Sequence, residues 1–352
     1  MKEGFRQAMA WLHTWAGLIF GWLLFAIFLT GTLAYFKDEI THWMQPEVQA
    51  HPLDDERSLA VAQNYLQQQA PAAARWFITL PNRRDPGLSV MWQDKVEPGK
   101  RGTFIQKVLD PVTGQPVQAR ESKGGEFFYR FHFQLQMPYP WGRWLSTIAA
   151  MVMFVALITG IITHKKIFKD FFTFRPRKGQ RSWLDGHNAV GVLVLPFHLM
   201  ITYSSLVIFM SMVMPAPIVA SYGDDSRAFF SELFPATDNA PALGQPGKLL
   251  PLMPMYQQAR EQWAGGHVGR VAVNNPGDVN ASVNVSRAGS DSVVHASGST
   301  LSFNGTTGEL LRGSAEPSLA TAIGGSFYGL HMGHFAGPVL RWLYFICGLA
   351  GT

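Results

Sequence analysis

Of 352 residues, 47% are hydrophobic and only 15% charged, with 11 Trp and 25 Phe, a balance that excludes an ordinary soluble enzyme and predicts a membrane protein with sizeable polar parts. The single cysteine, Cys347, excludes an internal disulfide framework and any cysteine-ligated zinc or iron–sulfur centre built by one chain. The net charge of +5 gathers in one short loop rather than in an aromatic-interleaved basic stripe, so nucleic acid is not an expected partner.

Residues 1–36 hold the first predicted transmembrane helix. Trp11 to Tyr35 carries no charged side chain, and its roughly 37 Å of helix exceeds a hydrocarbon layer of about 30 Å. No small-residue cleavage site follows before Lys37-Asp38-Glu39, so this helix is expected to be retained rather than removed as a signal peptide. Residues 37–126 turn polar, with a helical pattern at Ser58–Leu66, strand patterns at Arg75–Leu80, Leu88–Trp92 and Phe104–Leu109, and a turn at Asp110-Pro111-Val112-Thr113-Gly114. Residues 127–164 combine an interfacial helix with a second span, Trp141 to Thr163.

The loop 165–186 carries Lys165, Lys166, Lys169, Arg175, Arg177, Lys178 and Arg181 against Asp170 and Asp185. The positive-inside rule places it, and with it the amino terminus, in the cytoplasm, and both polar segments on the opposite side. Residues 187–214 form a third span, interrupted by Pro196 and His198. Residues 215–325 make a second polar segment, with a helix at Met255–Trp263, strands near Gly269–Asn274 and Ala281–Ser286, and an Asn304-x-x-Thr307-Gly308 turn answering Asp110-x-x-Thr113-Gly114. Residues 326–352 contain an interfacial segment and the start of a fourth span near Pro338, which reads as truncated because about 20 residues are needed to cross. The expected fold is therefore four transmembrane helices in two pseudo-symmetric halves, with two small α+β periplasmic segments.

The halves repeat. Phe128-Tyr129-Arg130-Phe131-His132 precedes Arg143-Trp144-Leu145, and Phe327-Tyr328-Gly329-Leu330-His331 precedes Arg341-Trp342-Leu343. His13-x-x-x-Gly17 and His187-x-x-x-Gly191 open the first and third spans. Four histidines thus occupy matched positions, one pair at each membrane face, and a pseudo-twofold axis along the membrane normal would let each pair face across it. Interfacial anchoring explains any one of them, whereas a matched set of four, with no cysteine available, favours bis-histidine haem ligation, one haem at each face. Gly17, Gly21, Gly31, Gly160 and Gly191 offer space for a macrocycle. His198, His164 and His334 are secondary ligand candidates, and Arg143 and Arg341 pair with haem propionates or anchor in the interface. Tyr129 and Tyr328 are haem-edge contacts or belt residues. No Walker sequence or dinucleotide-binding Gly-rich turn is present, so electrons come from a separate donor or from quinol.

With the His13-x-x-x-Gly17 and His187-x-x-x-Gly191 openings, Leu330-His331-x-Gly333 followed by Gly337 and Arg341, and the paired Thr-Gly turns, the chain resembles the PepSY-associated transmembrane family over essentially its whole length. That resemblance implies a haem b protein of the bacterial inner membrane that reduces iron in a ferric siderophore, ferrioxamine-like, on the periplasmic side. Its partners would be the siderophore, a quinol or cytoplasmic reductase as electron donor, and the lipid bilayer. The PepSY-like segments would form the docking surface for the chelate. The other readings are a non-enzymatic binding or regulatory protein, and a dihaem protein with copper, a thiol or a redox protein as acceptor.

Overall fold

The computed structural model describes residues 4–95, 102–164, 166–171, 173–223, 225, 228–229, 240–294, 300–313 and 317–352. Lys165 lies outside them. The chain divides into a helical unit (Met1–Lys37, Gly125–Pro217, Phe327–Thr352) and a sheet unit (Asp38–Gly124, Ile218–Ser326).

The helical unit is built on two long apolar helices. Helix α1 (Phe5–Ala34) runs unbroken for 30 residues because it contains no proline. After the short α2 (Lys37–Met44) and α3 (Asp55–Gln69), α4 (Glu126–Gln134) leads to α5 (Trp141–Thr163). Only α1 and α5 are single helices long and apolar enough to cross a membrane among the described residues. Leu135 and Gln136 adopt φ of 52° and 54°, which turns the chain back from α4 into α5. Gly142 then sits against the Gln134 carbonyl, where any Cβ would overlap, and Ser146 Oγ donates to the Phe133 carbonyl at 2.7 Å.

The third expected span is not one straight helix. After the four-residue α6 (Ile167–Asp170), α7 (Gln180–Leu193) and α8 (Leu195–Ile208) meet at Val194 with a bend of 67°. Pro196 causes the break: it has no N–H to give to the Val192 carbonyl and its ring cannot lie on a continuing turn, yet it is tolerated in the first turn of a new helix. The loop before α7 is tied by Asp185, whose carboxylate accepts from Arg175 Nη2 at 2.7 Å and Nε at 2.8 Å. Short helices α9 (Met210–Val213) and α10 (Ala216–Tyr222) follow. Among the described residues two helices qualify as spans by length and composition, or three if the bent pair counts as one. The last apolar helix has 12 residues, about 18 Å of rise.

The sheet unit joins what the sequence presents as two segments. β1 (Arg75–Thr79), β2 (Leu88–Gln93) and β3 (Phe104–Leu109) come from the first, and β4 (Val268–Asn274), β5 (Ser282–Arg287), β6 (Thr300–Asn304) and β7 (Leu310–Arg312) from the second. They form one antiparallel seven-stranded sheet in the order β3-β2-β1-β4-β5-β6-β7, the halves meeting where Trp76 pairs with Val273 and Ile78 with Val271. The equivalent turns share one device: Asp110 Oδ1 accepts from the Val112 and Thr113 amides at 2.7 and 2.8 Å, Asn304 Oδ1 accepts from Thr306 and Thr307 at 2.8 and 3.0 Å, and Gly114 and Gly308 follow at φ 74° and 77°. Helices α3 and α11 (Met253–Gln262) contribute Leu59, Leu66, Met255 and Ala259 to the core. Gln63, midway along α3, ties it to the segment that enters α11, donating to the Leu250 carbonyl at 2.9 Å and accepting from the Leu252 amide at 3.0 Å. Helices α12 (Leu319–Met332) and α13 (Pro338–Leu349) close the chain, and the end of α12, Phe327–Met332, belongs to the helical unit.

Candidate functional site: two histidine pairs

The helical unit brings the four matched histidines together as two pairs. His13 on α1 and His187 on α7 have ring centres 6.2 Å apart at 61°. His132 on α4 and His331 on α12 have ring centres 6.0 Å apart at 36°.

Backbone carbonyls orient three of the rings. His13 Nδ1 donates to the Ala156 carbonyl on α5 at 2.8 Å, His132 Nδ1 to the Ile27 carbonyl on α1 at 2.8 Å, and His331 Nδ1 to the Ile201 carbonyl on α8 at 3.1 Å. A carbonyl can only accept, so each ring carries its proton on Nδ1 and keeps the Nε2 lone pair, the arrangement a metal-binding imidazole uses. The ring of His187 forms no hydrogen bond among the described residues.

The repeat extends to these partners. Ile27 lies fourteen positions after His13, and Ile201 fourteen after His187. Each half therefore carries a histidine of one pair and, about 21 Å further on in a straight helix, the carbonyl that orients a histidine of the other. The sequence signal for these carbonyls is a hydroxyl-bearing residue three positions on and a small one four on: Thr30-Gly31, Thr159-Gly160 and Ser204-Ser205. The glycines admit the rings. A Cβ on Gly31 would stand 2.5 Å from His132 Nδ1, and one on Gly160 would stand 3.1 Å from His13 Cε1. Gly31 and Gly160 are thus filled by imidazoles rather than kept clear, whereas Gly17, Gly21 and Gly191 have nothing within 4 Å of where a Cβ would be.

Ring-centre separations of 6.2 and 6.0 Å can be compared with those of two imidazoles on one metal. With each nitrogen about 2.0–2.1 Å from a shared metal and each ring centre about 1.1 Å behind its nitrogen, collinear ligation separates the centres by roughly 6.3 Å. Both observed separations match. Ordinary aromatic contacts span the same range, so the distances alone do not distinguish ligands from packed rings; the Nδ1 bonds of His13, His132 and His331 are what make these rings able to hold a metal through Nε2. No cluster of three or more His, Cys, Asp or Glu suited to a metal occurs among the described residues. Each pair thus offers two nitrogen ligands and leaves the other coordination positions to a non-protein group.

The secondary candidates are placed differently. His198 is buried on α8, its Nε2 donating to the Cys347 carbonyl at 3.1 Å and its ring 5.2 Å from Phe28, which commits the nitrogen the four site histidines leave open. His164 caps α5, its amide donating to the Gly160 carbonyl at 3.1 Å. His334 stands in the turn between α12 and α13. Arg143 donates to Gln134 Oε1 at 3.1 Å and lies 5.2 Å from the centres of both Phe133 and Tyr139, while Arg341 donates to the Ala336 carbonyl at 3.1 Å. Tyr129 stacks on Phe133 at 5.0 Å with Lys37 Nζ 5.4 Å above its ring.

Among the described residues, two open clefts lie in the sheet unit. One, of about 340 Å³, is lined by Glu47, His51, Asp110 and Thr113; the other, of about 610 Å³, by His42, Trp43, Arg83 and Arg84. Hydrogen bonding from Arg120 holds the Glu47 carboxyl below its usual range. The Thr113 amide, opposed by burial and helped by the Val112 amide, does the same for Asp110.

A helical unit with two or three candidate spans, attached to an antiparallel seven-stranded sheet unit, defines a membrane-associated helical protein whose partner is a lipid bilayer. Residues 10–352 match the family described as the PepSY-associated TM region, and the chain belongs to that family. No curated protein matches it.

Proposed function

We propose that the chain is a haem-carrying reductase of the bacterial inner membrane. It passes electrons to Fe(III) held by a hydroxamate-type siderophore on the periplasmic side and releases Fe(II). The observation that carries this reading is the two close imidazole pairs, three of whose four rings have their Nδ1 proton tied to a main-chain carbonyl. Haem b, when bound, supplies a one-electron couple at each pair. His13 with His187, and His132 with His331, would hold it, and the Ala156, Ile27 and Ile201 carbonyls would keep three of those rings in the tautomer with a free Nε2. The spacing of about 21 Å along α1 sets the two stations at different depths, as a relay across a bilayer requires. The basic residues Lys166, Lys169, Arg175, Arg177, Lys178 and Arg181 support a cytoplasmic location for the His13/His187 end. The donor is a quinol or a cytoplasmic reductase. The sheet unit, with its clefts beside His51 and Trp43, supplies the surface for the chelate. One electron added to the hard ferric ion weakens its hold on oxygen donors, and the siderophore lets go of Fe(II).

The test is a pyridine haemochrome count on protein purified from haem-replete cells. Two haems are expected in the unmodified chain, one after His13→Ala or His187→Ala, the other one after His132→Ala or His331→Ala, and both after His198→Ala. A preparation with no Soret band removes the haem reading and leaves a binding or regulatory protein. Anaerobic stopped-flow oxidation of reduced protein by ferric hydroxamates, cupric ion and disulfides then identifies the acceptor. Failure of every ferric chelate to oxidise it rejects siderophore reduction.

A further inference from the structure

Every carbonyl that orients a site histidine also accepts from a buried hydroxyl three residues later. Thr159 Oγ1 donates to the Ala156 carbonyl at 3.0 Å, Thr30 Oγ1 to the Ile27 carbonyl at 3.1 Å, and Ser204 Oγ to the Ile201 carbonyl at 3.0 Å. Back-bonding of Ser and Thr within helices is common, and Thr14 and Ser326 do it with no histidine involved. Buried Ser146 likewise bonds the Arg143 carbonyl, so what sets the three apart is coincidence with the acceptor of an imidazole proton, three times out of three. Thr30 and Ser204 are also repeat equivalents, each three positions after its isoleucine. The Cys347 carbonyl that receives His198 has Ala350 at the same place.

The hydroxyls differ in one respect. Ser204 Oγ stands 3.0 Å from His331 Nδ1, so the imidazole proton is shared between this oxygen and the Ile201 carbonyl. Thr159 stands further off, at 3.4 Å from His13 Nδ1. Thr30 makes no bond to His132; it shares only the carbonyl, and its stronger bond goes to Ala26 at 2.7 Å.

We propose that Thr30 and Ser204 are positioning residues that set the donor strength of the two imidazoles at the His132/His331 station in opposite directions. Ser204 Oγ accepts from His331 Nδ1–H at 3.0 Å and gives its own proton to the Ile201 carbonyl; removing it frees that carbonyl but takes away the shorter of the two acceptors of the imidazole proton, so the net pull on that proton weakens and the imidazole is less electron-rich. The Thr30 hydroxyl competes with His132 for one carbonyl, so removing it strengthens the imidazole–carbonyl bond and makes that ring more electron-rich. An electron-rich ligand favours oxidised iron. Ser204→Ala therefore raises the midpoint potential of this station and Thr30→Val lowers it, while the His13/His187 station stays unchanged in both.

The potential readout rests on the haem reading, so the closing experiment has a second arm that does not. In the first arm, redox titration of haem-loaded protein follows the reduced-to-oxidised ratio at a fixed ambient potential. Each substitution is expected to shift that ratio about threefold to tenfold, the range an ordinary hydrogen bond supplies, tenfold being about 59 mV for one electron. In the second arm, ¹⁵N-histidine NMR of cofactor-free protein follows the Nδ1 protons: downfield movement for His132 in Thr30→Val, upfield for His331 in Ser204→Ala. Thr30→Ser and Ser204→Thr keep the hydroxyl and should reproduce unmodified values, which covers a variant that fails to fold. Shifts of the same sign, or none, in either arm overturn the proposal. Protein that binds no haem but shows the NMR shifts refutes the haem reading alone.

Discussion

Gly31→Ala is the sharpest test of how the histidines are seated. A methyl placed on Gly31 stands 2.5 Å from His132 Nδ1 and 2.6 Å from Cε1, and the ring must retreat roughly 1 Å to reach an ordinary contact of about 3.5 Å. That retreat stretches the 2.8 Å bond to the Ile27 carbonyl beyond about 3.2 Å, the practical limit of a hydrogen bond. A net bond of about 1 kcal/mol is lost, and the buried donor left unmatched costs about 1–3 kcal/mol. Both act on the state that holds the ligand in place, so affinity at the His132/His331 station is expected to fall on the order of tenfold to a hundredfold, as for other losses of an orienting partner. Haemochrome stoichiometry after dialysis against apomyoglobin, a haem acceptor, reads this directly: about one haem should remain, at the His13/His187 station. Two tightly held haems in Gly31→Ala would refute the packing argument, because no rearrangement confined to His132 keeps both the carbonyl bond and the new methyl.

Gly160→Ala meets His13 Cε1 at 3.1 Å, a milder crowding, and should loosen only the His13/His187 station, by a smaller factor in the same dialysis assay. Gln63→Leu strands the Leu250 carbonyl and the Leu252 amide between α3 and α11, costing the sheet unit about 2–3 kcal/mol in denaturant unfolding followed by hydrogen exchange of its core strands. Asp278 accepts from the Asn280, Gly244 and Leu243 amides at 2.8, 2.7 and 3.2 Å, and these bonds, the Asn280 amide foremost, hold its carboxyl below the usual range. Its contribution is full above its unfolded value of about 3.9 and is lost as pH falls through the lower folded value. Exchange protection of those three amides should therefore drop in acid, and Asp278→Asn should flatten that dependence.

Much of the helical site was legible because side-chain type carries it. His13, His132, His187 and His331 stand at matched positions of a repeat, and the pairs that the repeat implies are the pairs that meet. The Asp110 and Asn304 turns were readable for the same reason, since an Asx side chain and a glycine at positive φ leave a local signature. The orienting carbonyls were not: a main-chain oxygen has no residue type, and its role depends on which helix lies against it. Only the hydroxyl and small residue after each one record the contact. The fusion of two segments into one sheet was hidden for a related reason. The β1–β4 pairing is a main-chain ladder between strands nearly two hundred residues apart, and both strands alternate as any half-buried strand does. A glycine beside a histidine does not say by itself what fills the space it leaves; at Gly31 and Gly160 the imidazole itself lies there.

The bend between α7 and α8 gives the repeat its asymmetry. His13 and Ile27 are spaced along one straight helix, about 21 Å apart. His187 and Ile201 have the same spacing in sequence, but the 67° bend at Val194 falls midway between them and shortens the direct distance to about 17 Å. The same ligand-and-carbonyl spacing therefore reaches two different distances in the two halves, and α8 cannot be a copy of the second half of α1. The differences in hydrogen bonding follow the same division. On straight α1, Thr30 turns its stronger bond to Ala26 and leaves His132 to the carbonyl alone; on bent α8, Ser204 reaches the imidazole itself. Two imidazoles on one station are thus held by unequal partners because one of the two repeats carries a proline at position 196 where the other, at Trp22, does not.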